Sequence, residues 1–396
     1  MRTKTLLILI AVFLTAALSL QASGNMAQEQ KSGEEALVNV LCYHRFEERK
    51  ITDPKKKQFG DIYYISPDMF EEHLKYLKDN KYNVITMSEY VKFVESGKNA
   101  PKNTVVITID DGYRSIYDKA YPLLKKYGYT ATTYLYNNFL PGGKNALNVA
   151  QIKEMAADGF EFGSHSATHP ILTLKQKTKK GKKYLMDDRE YLKFLETEIV
   201  GSKEYLEDKT GLVMDTIAYP YGAYSEEVIA FVKKAGYKAG FSVVPSYNTA
   251  ETDKYALKRT MLYNNSDIEK FKKIFEKRQI KIKSVYPPDS AIIEERIPAI
   301  KAELAEDAGL NTATIKFMMG RVVLKDSVYN PDTKMLTYEY STKMTLGTHE
   351  VRVIAKDDND RSYEYAWMFI IGKHADPELL RKQTEKKQVK EVENNG

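Results

Sequence analysis

Along residues 38–244, short apolar runs alternate with stretches of helical period. The runs VNVLCYHRF (38–46), YNVIT (82–86), TVVITID (104–110), TATTYLY (130–136), FEFGSH (160–165), DTIAYP (215–220) and AGFSVV (239–244) are rich in Val, Ile, Thr and Tyr. Such runs, bounded by turn residues, read as strands. Helices are predicted between them, with recognisable starts and stops. Ser66 precedes PDMFEEHLKYLKDN with Pro67 at the first helical position, and Ser225 precedes EEVIAFVKKAG with Gly236 as the stop. Strand and helix in repeated alternation imply parallel strands, either in an open doubly wound sheet or in a closed barrel. Both architectures carry their chemistry beyond the C-terminal ends of the strands.

The pattern changes after SDIEKFKKIFEKRQI and Pro287-Pro288. From there ATIKFMM, MLTYEYS, HEVRVIAKDD and YEYAWMFII follow one another without intervening helical periods, as in a small antiparallel sandwich. The predicted organisation is a strand–helix domain over 36–280, a β-sandwich over 285–372, and a charged, disordered tail over 373–396. Trp367 is expected in the sandwich core.

The first residues have a different texture. Arg2 and Lys4 precede an apolar run from Leu6 to Leu20 and small residues at Ala22 and Ser23, the layout of a secretory signal over 1–22, with a polar leader over 23–35. An uncleaved anchor is the other reading of the same run. Export to a periplasmic, cell-surface or secreted location follows. Cys42 is the only cysteine, so no disulfide framework exists and no lipid-bearing cysteine ends the signal. The formal charge of +6 is too mild to argue for nucleic acid. The basic run KQKTKKGKK (175–183) reads first as a solvated loop and second as a face for an anionic glycan or the cell envelope.

Three motifs at strand ends carry candidate chemistry. In Thr108-Ile109-Asp110-Asp111-Gly112, adjacent carboxylates leaving a strand point in different directions, so one can bind a metal while the other faces water. In His165-Ser166-Ala167-Thr168-His169, two histidines four residues apart can share a cation from one side of a turn or compact loop. Asp111, His165 and His169 together would offer three ligands and leave a position open. Asp110 would then be the general base. In Ala218-Tyr219-Pro220-Tyr221-Gly222, a Pro-Gly turn can aim a backbone N–H, that of Tyr221, at an oxyanion. Tyr113, Arg114, Tyr219 and Pro220 flank these motifs and are the candidate substrate contacts.

TIDDG, HSATH and AYPYG, in this order, resemble the successive motifs of the NodB-type polysaccharide deacetylases. LCYHRF, SPDMFEEHLKYLKDNKYNVIT and GFEFGSHSATHPILT are similar to the branch that includes exported poly-N-acetylglucosamine deacetylases, over roughly Val38 to Ile280. The resemblance implies a distorted, incomplete (β/α) barrel and hydrolysis of N-acetyl groups with release of acetate. It also implies Asp110 as base, Asp111, His165 and His169 as ligands of one divalent ion, expected to be zinc, and Tyr221 as oxyanion donor. The region 286–371 is similar to bacterial immunoglobulin-like modules, especially in PPDSAII, YNPDTKMLTYEYS and GTHEVRVIAKDD.

Two positions depart from the family pattern. Ala218 stands where many members have an arginine that orients the base, and no histidine lies between His169 and His349 to serve as the late proton donor. Arg114 and His44 are the candidates for these two roles, with the acid left unassigned. His73, inside a predicted helix, reads as a surface residue. A glycan-binding protein with lost turnover, and a deacylase for another acetylated polymer, are the competing readings.

Overall fold

The computed structural model describes residues 37–48, 59–140, 142–179, 182–320 and 322–393. The segments read as signal and leader, 1–22 and 23–35, lie outside the described residues. Eight strands form one parallel sheet: β1 Asn39–Tyr43, β2 Asn83–Ile85, β3 Thr104–Ile109, β4 Thr132–Leu135, β5 Glu161–Ser164, β6 Thr216–Ala218, β7 Ala239–Phe241 and β8 Thr260–Met261. Their order is β7-β6-β5-β4-β3-β1-β8, with β2 also paired to the N-terminal half of β3. Each segment predicted from the apolar runs contains one of these strands.

The sheet curls towards closure. Beyond β7, Phe241 bridges to Leu257, and three residues later β8 pairs with Leu41 and Cys42 of β1. This is the incomplete, distorted barrel that the motifs imply. Register brings the strand ends to one rim: Tyr43 lies opposite Ile109, Leu135 opposite Ser164, and Ala218 opposite Phe241. The residues that follow each strand therefore crowd one end of the barrel.

The surrounding helices start where sequence capping predicts. Ser66 accepts from the Met69 N–H, Ser225 accepts from the Val228 N–H, and Thr86 with Glu89 makes a capping box. The helix Pro67–Asp79 buries Phe70, His73, Leu74 and Leu77, one stripe at i, i+3, i+4 and i+7. His73 is thus a core residue and not a surface one. Its ring stacks on Phe271 at 4.0 Å, with Tyr43 Oη at 3.1 Å and the Ser266 carbonyl at 2.7 Å from its nitrogens.

After the helix Ile268–Glu276 the chain enters two all-β sheets of six and four strands. They enclose Ile300, Phe317, Leu336, Val351, Trp367 and Phe369. Trp367 is fully buried there, and its indole N–H donates to the Pro287 carbonyl. The strand Arg278–Gln279 already pairs with Tyr363 and Glu364, so these sheets begin ahead of residue 285. The tail also differs from its expected disorder: Pro377–Glu393 is a helix, and Leu379 and Leu380 pack against the barrel's core. The basic run is not a plain loop either, since Gln176–Lys179 and Lys182–Leu185 pair as a β-hairpin. Among the described residues no helix is long and apolar enough to cross a membrane.

Candidate active site

Asp110 and Asp111 leave the end of β3, and His165 leaves the end of β5, at the same rim. The HSATH segment is a compact loop held from beneath by Glu198. That buried carboxylate accepts from the Ala167 and Thr168 N–H groups and from the Thr168 hydroxyl, at 3.1, 2.8 and 2.7 Å. The Ser166 hydroxyl accepts from the His169 N–H at 3.0 Å and turns the second imidazole back over the first. As a result Asp111, His165 and His169 each present one ligand atom within 4.8 Å of the others.

The separations fit a cation. Nε2 of His169 lies 3.1 Å from Nε2 of His165 and 3.5 Å from Oδ1 of Asp111, and His165 Nε2 lies 3.8 Å from the same oxygen. Ligands about 2.0–2.1 Å from a tetrahedral zinc stand about 3.3 Å apart, close to these values. Protonation agrees. Burial pushes the His165 imidazole down to about 4 and that of His169 to about 3, so both rings are neutral near pH 7. His165 Nδ1 donates to the Ala218 carbonyl at 2.7 Å, which fixes the tautomer and leaves Nε2 with its lone pair facing the centre. Burial, and then the charge of Asp110, push Asp111 up to about 7, a discomfort that a cation would relieve.

Asp110, whose Oδ2 lies 3.8 Å from His165 Nε2, sits in a different environment from Asp111. Arg259, the residue before β8, is fully buried and grips it through two parallel bonds, Nη1 to Oδ1 at 2.6 Å and Nη2 to Oδ2 at 2.8 Å. The guanidinium is itself fixed by the Ser242 carbonyl, the Thr108 hydroxyl and the face of Tyr134. Burial alone would raise the Asp110 carboxyl. Arg259 and then His165 outweigh it and hold the group well below the usual carboxylate range. The Cys42 thiol adds a contact of 3.3 Å to Oδ2.

Arg259 occupies the orienting position for which the sequence suggested Arg114. Arg114 instead lies on the outside, paired with Asp118 at 3.2 Å. Nothing in the local pattern marks Arg259, which stands in an unremarkable KRTM stretch before a two-residue strand. His44 follows β1 into the site. One of its nitrogens lies within 4.8 Å of ligand atoms of Asp110 and Cys42, its Nδ1 has no hydrogen-bond partner, and burial pushes its imidazole down to about 4.

The other expected contacts divide. Tyr113, two residues beyond Asp111, has its ring under the Arg45 guanidinium at 3.6 Å. Tyr219 does not face substrate: it is fully buried, and its hydroxyl donates to the Tyr255 carbonyl. Pro220 is buried as well, and serves the turn. The exposed member of that motif is Tyr221, at 57% exposure, whose ring meets His169 edge-on at 4.8 Å. Four non-glycine residues here, Asp111, Ser166, His169 and Tyr221, have φ between 57° and 77°. Left-handed backbone of this kind costs energy and persists where surrounding contacts impose it, commonly at functional sites.

The polysaccharide deacetylase family model matches residues 97–240, which contain all three motifs. A poly-β-1,6-N-acetyl-D-glucosamine N-deacetylase of Staphylococcus aureus is 32% identical over 210 residues, 52% of this chain and 69% of that protein. The chain belongs to the polysaccharide deacetylase family. The enzyme of the same description from Staphylococcus epidermidis is 29% identical over 276 residues, covering 66% of this chain and 92% of the relative. In fold it is similar to the Streptococcus pyogenes deacetylase PplD solved with acetate, with a TM-score of 0.53 at 24% identity, over 61% of this chain and 100% of that one. This deacetylase is a hydrolase of carbon–nitrogen bonds, a polysaccharide N-deacetylase. Members depend on a metal, and the grouped side chains are suited to hold one.

Proposed function

We propose that the enzyme removes N-acetyl groups from a β-1,6-linked N-acetylglucosamine polymer, using Asp111, His165 and His169 to hold a zinc ion and Asp110 as general base. The observation that carries this reading is the contrast between neighbours: a carboxylate locked ionised by Arg259, beside two neutral imidazoles and a second carboxylate at ligand spacing. The substrate follows from the relatives, which are poly-β-1,6-N-acetyl-D-glucosamine N-deacetylases. A divalent cation held there would polarise the acyl oxygen and lower the pKa of water towards neutrality, with Asp110 placed to take the proton as the water oxygen bonds to the acyl carbon.

The protein's own groups divide the remaining work. Arg259 keeps Asp110 charged and aimed, and prevents it from swinging onto the ligand cluster. The Tyr221 N–H, presented by a left-handed turn, is the donor for negative charge on the acyl oxygen. His44, with one nitrogen within 4.8 Å of an Asp110 oxygen and its Nδ1 without a hydrogen-bond partner, must first gain a proton, such as the one Asp110 takes from water, and is then the candidate donor to the departing amine. Water adds across the amide, acetate leaves, and the sugar keeps the amine.

The N-terminal apolar run, read as an export signal, suits a polymer outside the membrane, and the C-terminal sheets are read as an immunoglobulin-like module. The test is Asp110→Asn. Acetate release from poly-N-acetylglucosamine should drop by about 10²–10⁴, while bound zinc, measured by elemental analysis, stays near one per chain. Undiminished release would remove Asp110 from the mechanism. Parallel assays on chitin oligomers, peptidoglycan and acetylated xylan decide the polymer.

A further inference from the structure

Beside the His-His-Asp cluster lies a second group of donor atoms that deacetylation uses only in part. Cys42 Sγ, one ring nitrogen of His44 and one carboxylate oxygen of Asp110 all lie within 4.8 Å of one another. Cys42 is the chain's only cysteine, and it is fully buried at the end of β1, with its thiol 3.3 Å from Asp110 Oδ2. No step of the proposed chemistry needs that sulfur. His44 is half-buried, its ring tilted over Tyr63 at 4.8 Å, and its Nδ1 is buried without a hydrogen-bond partner. A buried nitrogen left unpaired is an incomplete arrangement that an ion can complete.

Electrostatics and donor type select the ion. Asp110 Oδ2, the oxygen that meets the thiol, already accepts from Arg259 Nη2 at 2.8 Å and lies 3.8 Å from His165 Nε2, one of the divalent-ion ligands. A second divalent ion at this spot would face the guanidinium on one side and the first ion on the other. A monovalent ion that replaces the thiol proton faces no such cost, because thiolate and cation cancel and no net charge is buried. Sulfur and imidazole nitrogen are the donors that soft cations of this charge prefer. Metal–sulfur and metal–nitrogen bonds of about 2.3 and 2.0 Å, set in line, span about 4.3 Å, which fits the spacing of the group.

We propose that Cys42 and His44 form a second cation site, for a soft monovalent ion such as silver or cuprous ion, and that filling it silences the enzyme. The S–H bond breaks, the metal–sulfur bond forms and the proton passes to water; no electron changes hands. The ion then stands on the imidazole assigned to the departing amine and beside the Asp110 carboxylate. The silencing rests on the roles proposed for those two groups, whereas the site itself does not.

The test uses the zinc-loaded full chain and silver nitrate in chloride-free buffer, with calorimetry for binding and elemental analysis for zinc. The parent should bind one silver ion per chain in a tight phase, keep its zinc, and lose acetate release by about tenfold or more once that phase is filled. Cys42→Ser keeps a donor towards Asp110 but offers a hard oxygen to the ion. It should lose the tight phase and, at the same dose, keep its own untreated rate. His44→Gln should still bind through sulfur, with an affinity lower by about a hundredfold or more, since even contacts that only support a ligand are worth about 10–100-fold. Silver that drives zinc out, binds Cys42→Ser as tightly as the parent, or binds His44→Gln with undiminished affinity would overturn the site. A filled site with undiminished acetate release would overturn the silencing and, with it, the roles given to Asp110 and His44, while the cation site would stand.

Discussion

Arg259 can stay charged in the interior only because Asp110 is there to receive it, and Asp110 can stay ionised without water only because of Arg259. Removing one partner leaves the other as a bare buried charge. Arg259→Met should therefore lose about 3–5 kcal/mol in urea unfolding, besides most activity. Arg259→Met combined with Asp110→Asn should recover much of that stability and none of the turnover, because a neutral pair has no charge to strand. A double variant as unstable as the single one would mean that packing, and not charge, holds the site.

His73 supplies a second residue-scale expectation, one of pH. Burial pushes its imidazole to about 4, against an unfolded value of about 6.5. Between these values the unfolded chain binds the proton and the folded one does not. Acidification through this window therefore favours unfolding, by up to about 1.4 kcal/mol per pH unit from this group. Urea titrations from pH 7 to pH 4 should show a shallower decline in His73→Gln than in the parent; parallel slopes would refute the assignment.

At the scale of elements, the strands and their terminal motifs were legible because a buried parallel strand is a compact apolar run and its end is marked by a change to polar residues. Helix starts were legible for the same local reason, through Ser66 and Ser225. His73 was misread: its polarity argued for the surface, although it occupies the i+3 place in its helix's apolar stripe. Arg259 was not, because its role comes from barrel curvature that brings β8 against β1, and no local period records that contact. The hairpin was hidden by its lysines, which give the composition of a solvated loop while their backbone pairs.

The Tyr221-Gly222 turn is the element on whose shape the proposed oxyanion role depends. Gly222 has φ 71°, and a Cβ there would lie 2.6 Å from the Val243 backbone nitrogen. Gly222→Ala must push the turn away from β7's extension and with it the Tyr221 N–H. The expected result is a fall in kcat of about ten- to a hundredfold, with zinc content unchanged because the ligands belong to other strands. Loss of zinc, or unaltered kcat, would sever the turn from the oxyanion role.

For the whole molecule, the strand Ser362–Ile371 joins the two cores by alternation. Trp367, Phe369 and Ile371 face the sandwich, whereas Ala366 and Met368 belong to the barrel's core cluster. Asp289 strengthens the seam: it accepts from the Tyr224 hydroxyl, the Met368 N–H and Lys258, the last at 3.0 Å. Lys258 directly precedes Arg259, so the C-terminal sheets brace the short segment that orients the Asp110 carboxylate. A freely swinging arm would have none of these ties. Thermal unfolding of the full chain should then show one transition, with activity lost along the same curve. A chain ended at Glu276 should be much less stable and, where folded, poorer in kcat than in KM, since Asp110 loses alignment while the rim motifs stay on the barrel's own strands. Two separate transitions, or a truncated chain with full kcat, would show that the C-terminal sheets are carried by the barrel without supporting it.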